Sequence, residues 1–196
     1  MLEARHLSCE RGGRILFRGL SFSLQAGQSL EIRGRNGSGK SRLLRILAGI
    51  TSDWSGQLDR AERALYLGHE NGLHPKLTVL ENLDWLASLH GAERSAIQDG
   101  LTAFEVTPLA HRPCETLSVG QQRRAALARL VFDDAKLWIL DEPTNSLDAT
   151  SEARFHALLA AHIEVGGSAV IATHAGASEQ ARGWPCSHVL ELGGEQ

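Results

Sequence analysis

Residues 34–41 read Gly-Arg-Asn-Gly-Ser-Gly-Lys-Ser, which fits the pattern G-x-x-x-x-G-K-[ST]. Three glycines ahead of a lysine demand a tight turn with almost no side-chain bulk. Leu30 and Ile32 lead into the loop with the period of a strand. Arg-Leu-Leu-Arg-Ile-Leu-Ala at 42–48 follows with helical character, and Gly49 is placed to end it. Strand, glycine loop and helix in that order dictate an α/β fold.

The same geometry says what the loop can hold. A polyphosphate needs several backbone N–H groups converging on it, and Gly34, Gly37 and Gly39 let the chain present them. Arg35, Asn36 and Ser38 fill the turn. The helix after Gly39 adds the positive end of its dipole, with Arg42 on its first turn. Lys40 supplies a mobile charge for the β- and γ-phosphates, and Ser41 offers a hydroxyl to Mg2+. The loop fits a kinase, a GTPase or an ATPase equally well.

The chain has 196 residues, and at about 150 residues per domain this predicts one domain with two lobes. A formal charge of −3 argues against nucleic acid as the main partner. Cys9, Cys114 and Cys186 are too few and too scattered for a disulfide framework or a zinc cluster. The opening Met1-Leu2-Glu3-Ala4-Arg5-His6 lacks the apolar run of a signal peptide, so a cytosolic setting is expected. No stretch is long and apolar enough for a membrane span.

Along the chain, residues 2–33 read as short strands, with Leu20, Phe22 and Leu24 alternating with polar neighbours. The middle, about 70–132, reads as a helical lobe, with one strong helix from Ser118 to Phe132. Leu137-Trp138-Ile139-Leu140 is a buried strand ending in Asp141 and Glu142. A helix near 151–164 and a strand at 169–172 complete a mainly parallel sheet. At the end of such a strand Asp141 can face a metal, while Glu142, its sequence neighbour, diverges toward an attacking water. Ser118 and Gln121 have capping-box spacing, so a second anion-attracting helix start is expected there, with Gly120 lining it.

Leu117-Ser118-Val119-Gly120-Gln121-Gln122-Arg123-Arg124 closely resembles the LSGGQ signature of ABC-type ATPases, with Val119 in place of a glycine. Ser146-Leu147-Asp148 resembles the family's D-loop, and His174 its switch histidine. The likeness covers essentially the whole chain. It implies a P-loop ABC-type ATPase domain with an N-terminal antiparallel β subdomain and an inserted helical subdomain. It further implies ATP and Mg2+ as cofactors, with Glu142, His174 and Lys40 as catalytic residues. Two such chains are expected to face head to tail, Ser118 of one closing over the ATP held by Lys40 of the other.

Within that family, Leu7-Ser8-Cys9-Glu10-Arg11, Leu16-Phe17-Arg18-Gly19-Leu20-Ser21-Phe22 and Gln121 to Leu130 look most like the ATP-binding subunit of cytochrome c maturation systems. That likeness implies a homodimer bound peripherally to integral membrane subunits, on the cytoplasmic side, with no role for nucleic acid. It would energise a haem-related step, either haem export or release of a haem-loaded chaperone. Another cargo, or a soluble non-transport ABC protein, is the alternative. A membrane helix would dock near residues 69–90, with His74, Leu77 and Trp85 as candidates.

Two positions depart from the family pattern. The Q-loop glutamine that helps hold the metal is replaced by His69, which is shorter and titrates. The aromatic that stacks adenine falls at Arg11, whose guanidinium could stack in its place or simply be solvated. Arg123 and Arg124 form a basic pair that reads as a helix face.

Overall fold

The computed structural model describes residues 2–60, 63–174 and 184–193, with backbone alone at His90 and His174. In chain order come β1 (Leu2–Arg11), β2 (Arg14–Leu24), β3 (Ser29–Gly34), α1 (Lys40–Leu47), β4 (Ser55–Arg60) and β5 (Ala64–Leu67). Then follow α2 (Val79–His90), α3 (Arg94–Ala103), α4 (Val119–Leu127) and α5 (Arg129–Phe132). The chain ends with β6 (Leu137–Asp141), α6 (Ala149–Glu164), β7 (Ser168–His174) and β8 (His188–Leu192). Two compact units result: Met1–Tyr66 with Ala135–Glu142 and Leu159–Gln196, and Leu67–Asp134 with Pro143–Leu158. The stretch 70–132 falls inside the second unit.

In the first unit β2, β1 and β4 form an antiparallel sheet. A five-stranded sheet runs β5-β6-β7-β3-β8, with β7 parallel to β6 and β3, and β3 parallel to β8. The apolar faces of these sheets meet α1. Leu43, Leu44, Ile46 and Leu47 of α1 are all buried, in one cluster with Leu24, Ile32, Ile139, Val170 and Ala172. Each such side chain contributes about 1.5–3 kcal/mol relative to exposure. That burial fixes α1 against β6, β7 and β3, and so fixes the loop between β3 and α1.

The helix after the loop starts at Lys40 and stops at Leu47, rather than spanning 42–48. Lys40 and Ser41 therefore belong to its first turn, and Gly49 (φ 75°) closes it as expected, its N–H donating to the Ile46 carbonyl at 2.9 Å.

In the second unit, the helix expected over 118–132 is broken in two. Ala128 lies between α4 and α5, and Val131 N–H reaches back only three residues, to the Ala128 carbonyl at 3.2 Å. The break falls where α3 packs closely. A Cβ placed on Gly100 of α3 would lie 2.5 Å from that same carbonyl. Helix α6 starts earlier than expected, because the Asp148 carboxylate caps it by accepting from Ser151 N–H at 2.8 Å.

At the start of β6 the Trp138 ring stacks on His162, with centroids 3.8 Å apart and planes within 8°. The His162 Nε2 lies 3.3 Å from the Ser168 carbonyl. A Cβ on Gly167 would fall 2.3 Å from that nitrogen, so the ring leaves room only for glycine. Burial holds the His162 pKa below the usual imidazole value. The unfolded chain then binds more protons than the folded one, so this contribution is intact above the unfolded value and lost as pH falls through the folded value. Chemical denaturation at pH 7.5 and 5.5 should show lower stability at the acid end, with a smaller difference in His162→Phe. Gly167→Ala should cost about 1–3 kcal/mol in the same assay.

Candidate functional site

The loop leaves β3 at Gly34, whose backbone pairs in register with His174 of β7. A Cβ on Gly34 would lie 2.5 Å from both the Leu192 carbonyl and Ser38 Oγ, so the loop closes only around glycine. Gly37 (φ 78°) faces open space and is needed for its backbone conformation alone. Ser38 N–H donates to the Arg35 carbonyl at 3.1 Å, which tightens the turn. Arg35, Asn36 and Gly37 are exposed at its tip.

Gly39 is the N-cap of α1 and brings no side chain to cap it, and the first turn carries no acidic residue. The first N–H groups of α1 therefore stand ready for an external anion. Ser38 Oγ is buried and makes no hydrogen bond among the described residues. A polyphosphate fits that loop on both counts: open amide donors and an orphaned hydroxyl.

Lys40 is 6% exposed and lies under the loop. Its Nζ donates to the Gly34 carbonyl at 2.8 Å and sits 4.0 Å from Glu142 Oε1. Asp141 is buried at the end of β6. Glu142 follows in a left-handed conformation (φ 50°), uncommon for a side chain with a Cβ and of the kind that collects at functional sites. Its N–H donates to the Ala172 carbonyl at 3.0 Å. That bond fixes the backbone while the twist turns the carboxylate toward Lys40.

Ser41 lies exposed on the first turn of α1, which packs against β6, the strand that ends at Asp141. A hydroxyl and a carboxylate are hard oxygen donors of the kind Mg2+ takes, with phosphate and water completing its shell. The donor set fits. Arg42 is turned elsewhere: its guanidinium pairs with the Asp53 carboxylate. His174 is placed by its backbone at the end of β7, and its side chain lies outside the described residues.

Two features here escaped sequence reasoning. Glu31 in β3 is fully buried, its Oε1 accepting from Thr173 Oγ1 at 2.7 Å and its Oε2 from Arg33 Nη2 at 2.9 Å. These bonds tie the ends of β3 and β7 one residue below Gly34 and His174. Two charges inside an apolar strand were the available signal. Phe17 is the other. Its ring would lie 3.4 Å from a Cβ on Gly39, and with Ile15, Arg18, Gly37 and Ser38 it lines a cavity of about 350 Å³. Arg11 is exposed at the tip of the β1–β2 hairpin.

In the second unit Ser118 caps α4 as its spacing predicts. Its hydroxyl accepts from Gln121 N–H at 3.3 Å, and Gln121 Oε1 accepts from Ser118 N–H at 3.0 Å. Val119 is exposed beside it. A Cβ on Gly120 would lie 2.7 Å from the Ser146 carbonyl, so this helix start packs directly on the Ser146-Leu147-Asp148 turn. His69 is exposed just after β5. Arg123, read as a helix face, is instead 4% exposed. Its guanidinium bonds to Gly68, Asn71 and Pro143 because the α4 face it occupies is covered by those segments. Arg124 stays partly exposed, 3.9 Å from Glu105.

A family model for the ABC transporter matches residues 17–145. The chain is 46% identical over 194 residues to a cytochrome c biogenesis ATP-binding export protein, CcmA, of Paracoccus denitrificans, covering 98% of this chain and 89% of that one. Identity is also 46% over 186 residues to the protein of that name in Pseudomonas putida, with 88% and 89% covered. A bacterial ABC transporter cassette solved as a dimer shares the fold, with a TM-score of 0.85 and 23% identity over 98% of this chain and 94% of the other. With its phosphate-shaped loop and its two motif-bearing units, the chain belongs to the ABC transporter family, as an ATP-hydrolysing subunit.

Proposed function

We propose that this chain hydrolyses ATP as the peripheral subunit of a transporter complex that energises a haem-related step of c-type cytochrome biogenesis. The 46% identity to a cytochrome c biogenesis ATP-binding export protein, across 98% of the chain, carries the reading. We further propose that it works as a homodimer on integral membrane subunits, at the cytoplasmic face, within a single nucleotide-binding domain. No helix among the described residues is long and apolar enough to cross a membrane. Trp85 and Leu89, exposed one turn apart on α2, and Leu77 just before it, give a membrane subunit an apolar foothold beside His74.

The roles follow from the chemistry. Amides from Gly37 to Arg42 take the phosphate oxygens, and Lys40 neutralises their charge. Bound Mg2+ would supply charge neutralisation at the β- and γ-phosphates, held by Ser41 and Asp141, with His69 at the Q-loop position. Glu142 orients the attacking water and accepts its proton. His174 stabilises the γ-phosphate, while Ser118 and Gly120 of a second copy, braced by Gln121, complete the pocket. Arg11 at the hairpin tip is assigned to the base.

Glu142→Gln should keep ATP affinity while turnover falls on the order of a hundredfold or more, with ATP-bound dimer accumulating on size-exclusion chromatography. Full turnover in that variant would remove Glu142 from its role. Lys40→Ala and Ser118→Arg chains, each inactive alone, should recover part of the activity when mixed, since one composite site in the heterodimer is intact. No recovery would argue against a shared site. Co-expressed with the membrane subunits, the parent chain should sediment with membranes, and Trp85→Glu with Leu89→Glu should release it without loss of ATP binding.

A further inference from the structure

A guanidinium taken out of water is costly unless its donors find acceptors. Among the acceptors that Arg123, 4% exposed, finds are three neutral oxygens from two separate stretches of chain. Its Nε donates to the Pro143 carbonyl at 3.0 Å. Its Nη1 donates to the Gly68 carbonyl at 3.0 Å and to Asn71 Oδ1 at 2.9 Å. The planar fork of arginine spans these acceptors from one rigid group, which the single ammonium of lysine does not.

The positions of those acceptors give the contact its meaning. Gly68 immediately precedes His69, and Pro143 immediately follows Glu142. Arg123 itself sits on α4, the helix that Ser118 begins. One side chain thus joins the helix whose Ser118 is assigned to the second copy's nucleotide to the backbone beside two residues assigned to hydrolysis in its own chain. We propose that Arg123 is a positioning residue of the ATPase site. It acts by holding the 68–71 backbone and the Pro143 carbonyl in register with α4. The proposal rests on the ATPase reading above. It predicts that the start of α4 and the 68–71 segment shift together rather than separately.

Arg123→Lys, Asn71→Ala and the double variant test it, in the full chain. Three measurements are needed: kcat and KM for ATP, thermal melting, and backbone hydrogen exchange at residues 68–71 and 144–147. Arg123→Lys should lower kcat on the order of tenfold with KM within about twofold, because alignment is lost and ground-state binding is not. Exchange at 68–71 should rise by about tenfold well below the melting temperature. Asn71→Ala should show the same pattern more weakly, and the double variant should be no worse than Arg123→Lys, as expected for partners in one contact. Unchanged exchange at 68–71, or a loss of turnover that only tracks the unfolded fraction, would overturn the proposal. Were the parent chain to bind ATP without hydrolysing it, the assigned function would fail, and the exchange comparison would still decide whether Arg123 holds this segment.

Discussion

The first unit is organised around the ammonium group of Lys40. It is nearly sealed from solvent, donates to the Gly34 carbonyl and faces the Glu142 carboxylate. A charge this deep is tolerable because an opposite charge and a carbonyl dipole stand beside it. Each partner is brought there by something else. Gly34 ends a strand whose apolar face is buried by α1, and Glu142 follows directly on a strand packed on that same helix. The sheet and the helix thus serve chiefly to bring one cation and one anion under a loop of open amides.

The buried carboxylate of Glu31 plays a comparable part lower in the sheet. Its bonds to Thr173 and Arg33 stitch together the strand ends from which the loop and His174 depart. In the second unit the tie is again polar: the Arg123 guanidinium holds main-chain oxygens that sequence distance would leave independent. In both places buried polar contacts tie together segments that the apolar core alone brings only into the same neighbourhood.

Much of this was legible in the residues themselves. The strand, loop and helix around Lys40, the acid pair after β6 and the capping box at Ser118 all follow from local rules of spacing and backbone freedom. Those rules act over a few residues, so they survive without knowledge of the tertiary structure. What remained hidden depends on contacts between distant segments. The break at Ala128 lies where α3 packs on a carbonyl, a contact that no helix propensity records. Arg123 looks like half of an exposed basic pair until Gly68, Asn71 and Pro143 are folded over it. The commitment of Arg42 to Asp53 is of the same kind.

The contact between Gly120 and the Ser146 carbonyl leaves no clearance for even a methyl group. Surfaces this close transmit displacement as meshed teeth do, without any intervening linkage. A push on the amino end of α4 would bear first on the turn at Ser146, which leads to Asp148 and the hydrogen bond that anchors α6. A load on Ser118 would then be felt, within the same chain, at the root of another helix.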